Sequence, residues 1–249
     1  VASDGIEFGT LRVLADADPR AGTGILELRA PDLEHHNPTL WLKDVGDPLV
    51  EITLERDGAI TRQETVTAEA FARGLRWVGL PVDLWWPNLE GDQPLYTLTC
   101  RLLDASGAEH DRDVRRVGFK HVDWRQCAGA PAGADPWLCV VNGRPVFLQG
   151  VNCAPLGALF ADLTREDYAA RLDQYRDLGA NCLRVNACQF LERPWFWELC
   201  DELGLMVWQE YPLTSSGIDN WAPEDEQSIA AMAEIARSFV QRRRHHASL

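Results

Sequence analysis

The hydrophobic pattern of this chain changes period once, and that change constrains the fold more than any other feature. Up to about residue 124, apolar and polar residues alternate in "TLRVLAD", "GILELRA", "LVEITLERDG", "LRWVGLPV", "LYTLTCRLLD" and "RRVGFKHVDW", with turn-prone stretches between them. A period of two places successive side chains on opposite faces of a strand. Only the short "AEAFARG" breaks the run with a helical pattern. After an Ala-, Gly- and Pro-rich stretch, "CAGAPAGADP" at 127–136, the pattern becomes one of apolar strands alternating with amphipathic helices.

Short strands at such spacing describe an immunoglobulin-like antiparallel β-sandwich over residues 1–126, with 127–136 as a linker. Residues 137–249 read differently. "RPVFLQGVNCAP", "NCLRVNAC" and "LMVWQE" are strands apolar on both faces. Between them, "TREDYAARLDQYRDLG" presents Tyr168, Leu172, Tyr175 and Leu178 on one helical face, and "RPWFWELCDELG" forms a second helix closed by Gly204. Thr164 with Asp167 has the spacing of a capping box, and Gly179 that of a helix stop. A last helix from about Pro223 carries Ile229, Met232, Ile235, Ala236, Phe239 and Val240 on one stripe. Strand–helix units repeated three times imply a parallel sheet covered by helices.

Composition narrows the partners. Thirty-eight acidic against 24 basic residues give a net charge of −14, which disfavours nucleic acid and anionic membrane surfaces. No apolar run approaches the length that spans a bilayer, and the N-terminus has no signal-peptide pattern. Seven cysteines, at 100, 127, 139, 153, 182, 188 and 200, show no C-x-x-C pairing and read as buried free thiols, hence a reducing, cytoplasmic setting. Neither His35-His36 nor the Cys182/Cys188 pair has the partners a zinc site needs, so no metal or cofactor is expected. "RRRHH" at 242–246 reads as an exposed, dipole-matched helix end, and Trp85 and Trp86 as anchors at the end of the sandwich core.

In a parallel α/β sheet the ligand site lies at the carboxyl ends of the strands. Those ends carry Asn152 and Cys153 on the first strand, Arg184, Asn186 and Cys188 on the second, and Gln209 and Glu210 on the third. Arg184 is costly to bury without a carboxylate, and Glu210 on the neighbouring strand can supply one. Two readings stand side by side: a mutually satisfied ion pair, or a polar floor of Asn152, Arg184, Asn186, Gln209 and Glu210 that grips hydroxyl groups or orients a catalytic carboxylate. Trp208, Tyr211, Trp221 and Phe190 are placed to pack the core or to offer faces to a sugar.

The stretch "NCLRVNACQFLERPWFWELCDELGLMVWQEYP" resembles the first signature region of glycoside hydrolase family 2, through Asn181, Leu183, Arg184, Asp201, Gly204 and the run Leu205 to Trp208. "LWWPNLEGDQPLYTL", "RRVGFKHVDW" and "NGRPVFLQGVN" resemble the β-mannosidase-like members in the sandwich and at the barrel entry. Departures are present too: Val185-Asn186-Ala187-Cys188-Gln189 stands where members of known sugar specificity carry other motifs. The resemblance implies a retaining exo-β-glycosidase with a carbohydrate substrate, in which Arg184 positions the nucleophile and keeps it ionised, and Glu210 binds substrate or supports the site from behind.

The same resemblance implies that the chain is an internal piece: a sandwich and the first three βα units of a TIM-type (β/α)8 barrel, without a preceding jelly roll. Retaining hydrolysis uses two carboxylates about 5–5.5 Å apart. By the resemblance both stand beyond Leu249, so no catalytic residue is expected within the chain. A non-catalytic carbohydrate-binding or scaffold module is the alternative. Strands one and three would be open barrel edges through which the piece self-associates.

Overall fold

The computed structural model of the protein describes residues 7–34, 47–157, 159–186, 191–211 and 223–249, with Phe160 known by its backbone alone. The chain divides into two compact units, Val1–Asp83 with Leu95–Phe119, and Leu84–Pro94 with Lys120–Leu249.

The first unit is the β-sandwich. Strands β1 (Arg12–Asp18), β2 (Thr23–Arg29), β3 (Leu49–Arg56), β4 (Ala59–Thr67), β5 (Leu75–Leu80), β6 (Tyr96–Leu103) and β7 (Glu109–Val117) form two antiparallel sheets, ordered β1-β2-β5 and β4-β3-β6-β7. The alternation read from the sequence is the burial pattern: Val50, Ile52 and Leu54 of β3 and Leu98, Cys100 and Leu102 of β6 are buried, while their neighbours face outward. Each aliphatic side chain buried this way contributes about 1.5–3 kcal/mol. Asp57 and Gly58, at φ 52° and 80°, make the two-residue turn between β3 and β4, whose left-handed backbone matches the strand twist. Helix α1 (Ala68–Arg73) is the "AEAFARG" segment, capped by the Thr67 hydroxyl on the Ala70 N–H at 3.2 Å, with Phe71 buried.

The second unit holds two sheets. Strands β8 (Val122–Arg125), β9 (Leu138–Val141) and β10 (Arg144–Pro145) form an antiparallel sheet ordered β10-β9-β8. Residues 127–136 therefore connect two paired strands, and the unit takes up the chain at Lys120 rather than after that stretch. Strands β11 (Gly150–Cys153), β12 (Cys182–Val185) and β13 (Met206–Gln209) form the parallel sheet. Helices α2 (Arg165–Asp177) and α3 (Pro194–Leu203) connect them, and α4 (Glu226–Arg243) follows. These are the first three βα units of the barrel. Leu183, Val185, Leu205 and Val207 face Leu172, Phe196, Trp197 and Phe239 in one apolar core.

Both ends of the barrel helices obey local rules. At α2 the Thr164 hydroxyl accepts from the Asp167 N–H at 3.2 Å, and the Asp167 carboxylate accepts from the Thr164 N–H at 2.9 Å, which completes the capping box. At α3, Pro194 occupies the first turn and Gly204 ends the helix at φ 73°. A Cβ on Gly204 would lie 2.6 Å from the Asn88 nitrogen. Gly204→Ala is accordingly expected to cost roughly 1–3 kcal/mol in urea unfolding, since it combines backbone strain with a backbone collision.

Four sequence readings need correction. Leu178 is 74% exposed, because the helix ends at Asp177 and Gly179 turns the chain away. Along α4 only Phe239 is buried, while Ile229, Ile235 and Val240 are 54%, 40% and 39% exposed. The "RRRHH" segment is not wholly an exposed end: Arg242 and Arg243 close α4, but His245 and His246 are buried. Trp85 belongs to the second unit, where its indole N–H donates to the Asp201 carbonyl at 2.8 Å. Among the described residues Cys100, Cys139, Cys153, Cys182 and Cys200 are buried free thiols and Cys127 is an exposed one. No described helix is long and apolar enough to cross a membrane.

Candidate functional site

Register decides which side chains meet. Asn152, Arg184 and Trp208 stand directly across from one another on β11, β12 and β13. Because side chains alternate, these three share the sheet face opposite the apolar core, and Cys153, Val185 and Val207 point into that core. Glu210 extends the same face past β13, with its N–H donating to the Val185 carbonyl at 3.0 Å.

The Arg184 guanidinium ties the strand tips together. Its Nε and Nη2 donate to Glu210 Oε1 at 2.8 and 2.5 Å, and its Nη1 donates to Asn152 Oδ1 at 3.0 Å. The Arg184 and Glu210 side chains are 43% and 28% exposed. An ion pair this open to water contributes at most about 1 kcal/mol to stability. Holding a planar fork of donors in a fixed direction is what the arrangement achieves.

The other sequence candidates fall differently. Gln209 sits beside Val185 in the register, and its Nε2 turns back to the Glu210 carbonyl, so it supports the tip from the core side. Asn186, half-buried, stands immediately beyond β12. Trp208 is 47% exposed on the Arg184 face, which leaves an aromatic surface beside the guanidinium. Tyr211 packs edge-on against Phe239 at 5.7 Å and joins the core instead. Phe190, Trp221, Cys188, His35 and His36 lie outside the described residues. Toward the other end of the strands, a cavity of about 200 Å³ continues the Trp208 face, lined by Met206, Cys182, Leu148, Trp124 and Lys120 among others.

Sequence reasoning missed one acidic group at this end of the sheet. Glu192 is 3% exposed, and Tyr168 Oη donates to its Oε2 at 2.9 Å. Burial pushes its carboxyl up to about 7, against the opposing pull of the Tyr168 hydroxyl and the Arg193 N–H. A raised carboxyl is the mark of a general acid, but here the group is enclosed by Tyr168, Cys153 and Cys200 rather than open to a substrate. The available signal was a lone acid inside the apolar run "QFLERPWFW". Among the described residues no group of three or more His, Cys, Asp and Glu is placed to hold a metal ion.

Two family profiles match the chain: "Glycosyl hydrolases family 2" over residues 42–120, and "Glycosyl hydrolases family 2, TIM barrel domain" over residues 136–249. A β-mannosidase of Capra hircus is 29% identical over 171 residues, an alignment that takes in 68% of this chain and 18% of that protein. This chain therefore spans a small part of the length of such relatives. The crystal structure of a β-D-mannosidase from Dictyoglomus thermophilum superposes with a TM-score of 0.70 at 23% identity, over 96% of this chain and 28% of that one. The apo structure of Bacteroides uniformis β-glucuronidase 3 superposes at 0.68 with 18% identity, over 96% and 26%. At such identities the two structures establish the fold, and proteins named for different sugars share it. Since profiles of one family cover the sandwich and then the barrel, in that order along the sequence, the chain belongs to glycosyl hydrolase family 2.

Proposed function

We propose that the protein to which this chain contributes is a retaining exo-β-glycosidase of the β-mannosidase type, and that this chain supplies the polar floor of its sugar site. The observation that carries the reading is the Arg184 fork, held between Glu210 and Asn152 at the strand tips on the face that also exposes Trp208. Carboxylate and amide oxygens accept from sugar hydroxyls, the indole covers an apolar sugar face, and the fixed cation favours an ionised carboxylate placed next to it. Among the described residues Glu210 is the one carboxylate on this face at the three strand tips, whereas retaining hydrolysis needs two about 5–5.5 Å apart. In this reading the acid/base and the nucleophile come from later barrel strands, and the coding sequence next to Leu249 is expected to encode an apolar strand ending in Asn-Glu.

The test is hydrolysis of aryl β-glycosides by the full-length protein. The wild type is expected to favour the β-mannoside, and Arg184→Ala to lower kcat/KM by about 10²–10³-fold, with an unchanged melting temperature. Arg184→Lys, which keeps the charge and loses the fork, is expected to recover little of it. Absence of glycoside hydrolysis, or full activity in Arg184→Ala, refutes the reading and favours a non-catalytic module.

We also propose that the 249-residue chain self-associates, which the uncovered apolar residues Ile229, Ile235 and Val240 of α4 and the outer edge of β11 support. The opposite edge is partly engaged: the Val207 N–H of β13 donates to the Ser248 carbonyl at 2.7 Å. Light scattering that shows a monodisperse monomer overturns this. The buried free thiols favour a cytoplasmic setting, which fractionation of the source cells checks.

A further inference from the structure

Beneath the strand tips, polar groups from four elements meet inside the apolar core. Cys153, the last residue of β11, is 1% exposed and adjoins the exposed Asn152. Tyr168 on α2 is 2% exposed, with its ring edge-on to Trp195 at 4.6 Å and to Phe196 at 6.0 Å on α3. Cys200 on the same helix is fully buried. Glu192, in the segment from β12 to α3, receives the Tyr168 hydroxyl at 2.9 Å and the Arg193 N–H.

We propose that Glu192 is a positioning residue for the candidate sugar site: its buried bond to Tyr168 fixes the tips of β11 and β12, and its ionisation shifts the mutual placement of Asn152 and Arg184. The geometric route is short. Asn152 and Cys153 are consecutive on a strand tip, one bonded to Arg184 and the other buried close enough to the Glu192 carboxyl for a carboxylate there to raise the cost of ionising the thiol. A neutral acid suits this apolar setting, whereas a carboxylate there must draw in donors or water, and a close-packed core yields to that by moving its weakest boundary, the strand ends.

Among the described residues, titratable and charged groups face the carboxyl from each neighbouring element. Tyr168 faces Glu192 from α2, where Arg171 also acts on Cys153. Cys153 faces it from β11, and Cys200, itself beside Asp201, from α3. Arg193, the next residue, is the cation whose charge favours the carboxylate. With burial dominant, the carboxyl titrates at about 7, so both states are populated near neutrality.

The inference rests on the proposed function only for what the site binds, and its test uses no sugar. In nitrogen-15 spectra of the whole chain, the Asn152 side-chain amide and the Arg184 Nε–H are followed from about pH 5.5 to 8.5, a range set around the carboxyl value. Both are expected to follow one transition with a midpoint near 7. Glu192→Gln, nearly the same shape and not ionisable, should abolish the transition. Tyr168→Phe, which removes a bond favouring the carboxylate, should move the midpoint upward. Flat resonances in the wild type, or a transition that persists in Glu192→Gln, overturn the proposal. If Glu192→Gln does not fold, Tyr168→Phe decides alone: a raised midpoint supports the proposal and an unmoved one refutes it. A separate titration with methyl β-mannoside reads the sugar site itself, so a pH transition without sugar shifts sinks the functional reading and leaves the positioning role standing.

Discussion

Replacing Asp201 with alanine is expected to destabilise the second unit by about 3–5 kcal/mol, the largest single-residue effect anticipated for this chain. Asp201 is 1% exposed on α3. Its Oδ2 bonds His246 Nδ1 at 2.7 Å, and its Oδ1 accepts from the Ser248 N–H at 2.7 Å. His246 is itself buried, so alanine strands an imidazole nitrogen and a main-chain donor away from water and leaves a void. Asp201→Asn, which keeps one acceptor oxygen, is expected to lose less. The damage should spread to the sheet, because the Ser248 carbonyl accepts from Val207 of β13. Urea unfolding read from amide exchange in α3 gives the loss, with faster exchange at Val207 and Ser248 as its local sign. A cost under about 1 kcal/mol would show that the clasp is dispensable.

The second large effect is a dependence of stability on pH. Glu192 titrates at about 7 in the folded protein against 4.5 for a free side chain. The folded state therefore binds the proton more tightly than the unfolded state. The contribution of the group is fully present below about pH 4.5 and is lost as pH rises to about 7, at up to roughly 1.4 kcal/mol per pH unit, or roughly 3 kcal/mol in all. Other carboxylates titrate in part of this range, so the comparison must be between variants: the stability of Glu192→Gln minus that of the wild type should grow by roughly 3 kcal/mol between about pH 4 and pH 8. A difference that stays constant with pH means the carboxyl titrates normally. The nearby tyrosine responds in the same sense, since burial and the Glu192 carboxylate hold the Tyr168 hydroxyl far above its usual value.

How much of this was legible in the sequence depends on how far apart the partners lie. The parallel sheet was legible because its strands are apolar on both faces and its helices repeat between them. The Arg184–Glu210 contact followed from placing a cation and an acid at neighbouring strand ends, where topology leaves them little else to meet. Glu192 was not legible, because its surroundings come from Tyr168, 24 residues away, and from Cys153 at the tip of β11. His245 and His246 were misread for the opposite reason: a helix terminus suggested solvent, while a carboxylate on α3 draws the chain inward. The stripe on α4 is apolar in sequence, but an apolar stripe does not say whether its cover belongs to the same stretch of chain.

The segment Leu84–Pro94 carries a consequence for how such proteins recombine. It is encoded amid the sandwich strands, yet Trp85 serves the Asp201 carbonyl, and the Asn88 side chain serves the carbonyls of Arg176 and Ala180, each at 2.8–2.9 Å. The Asn88 N–H meets Gly204 O at 2.8 Å, and Asn142 returns a bond to Trp85 O at 2.9 Å. The gene is thus interleaved where the fold is modular. A crossover that swaps the sandwich of one family member for another's would import a foreign bracket onto the native helix ends, and hybrids should survive only when this eleven-residue excursion travels with the barrel it serves.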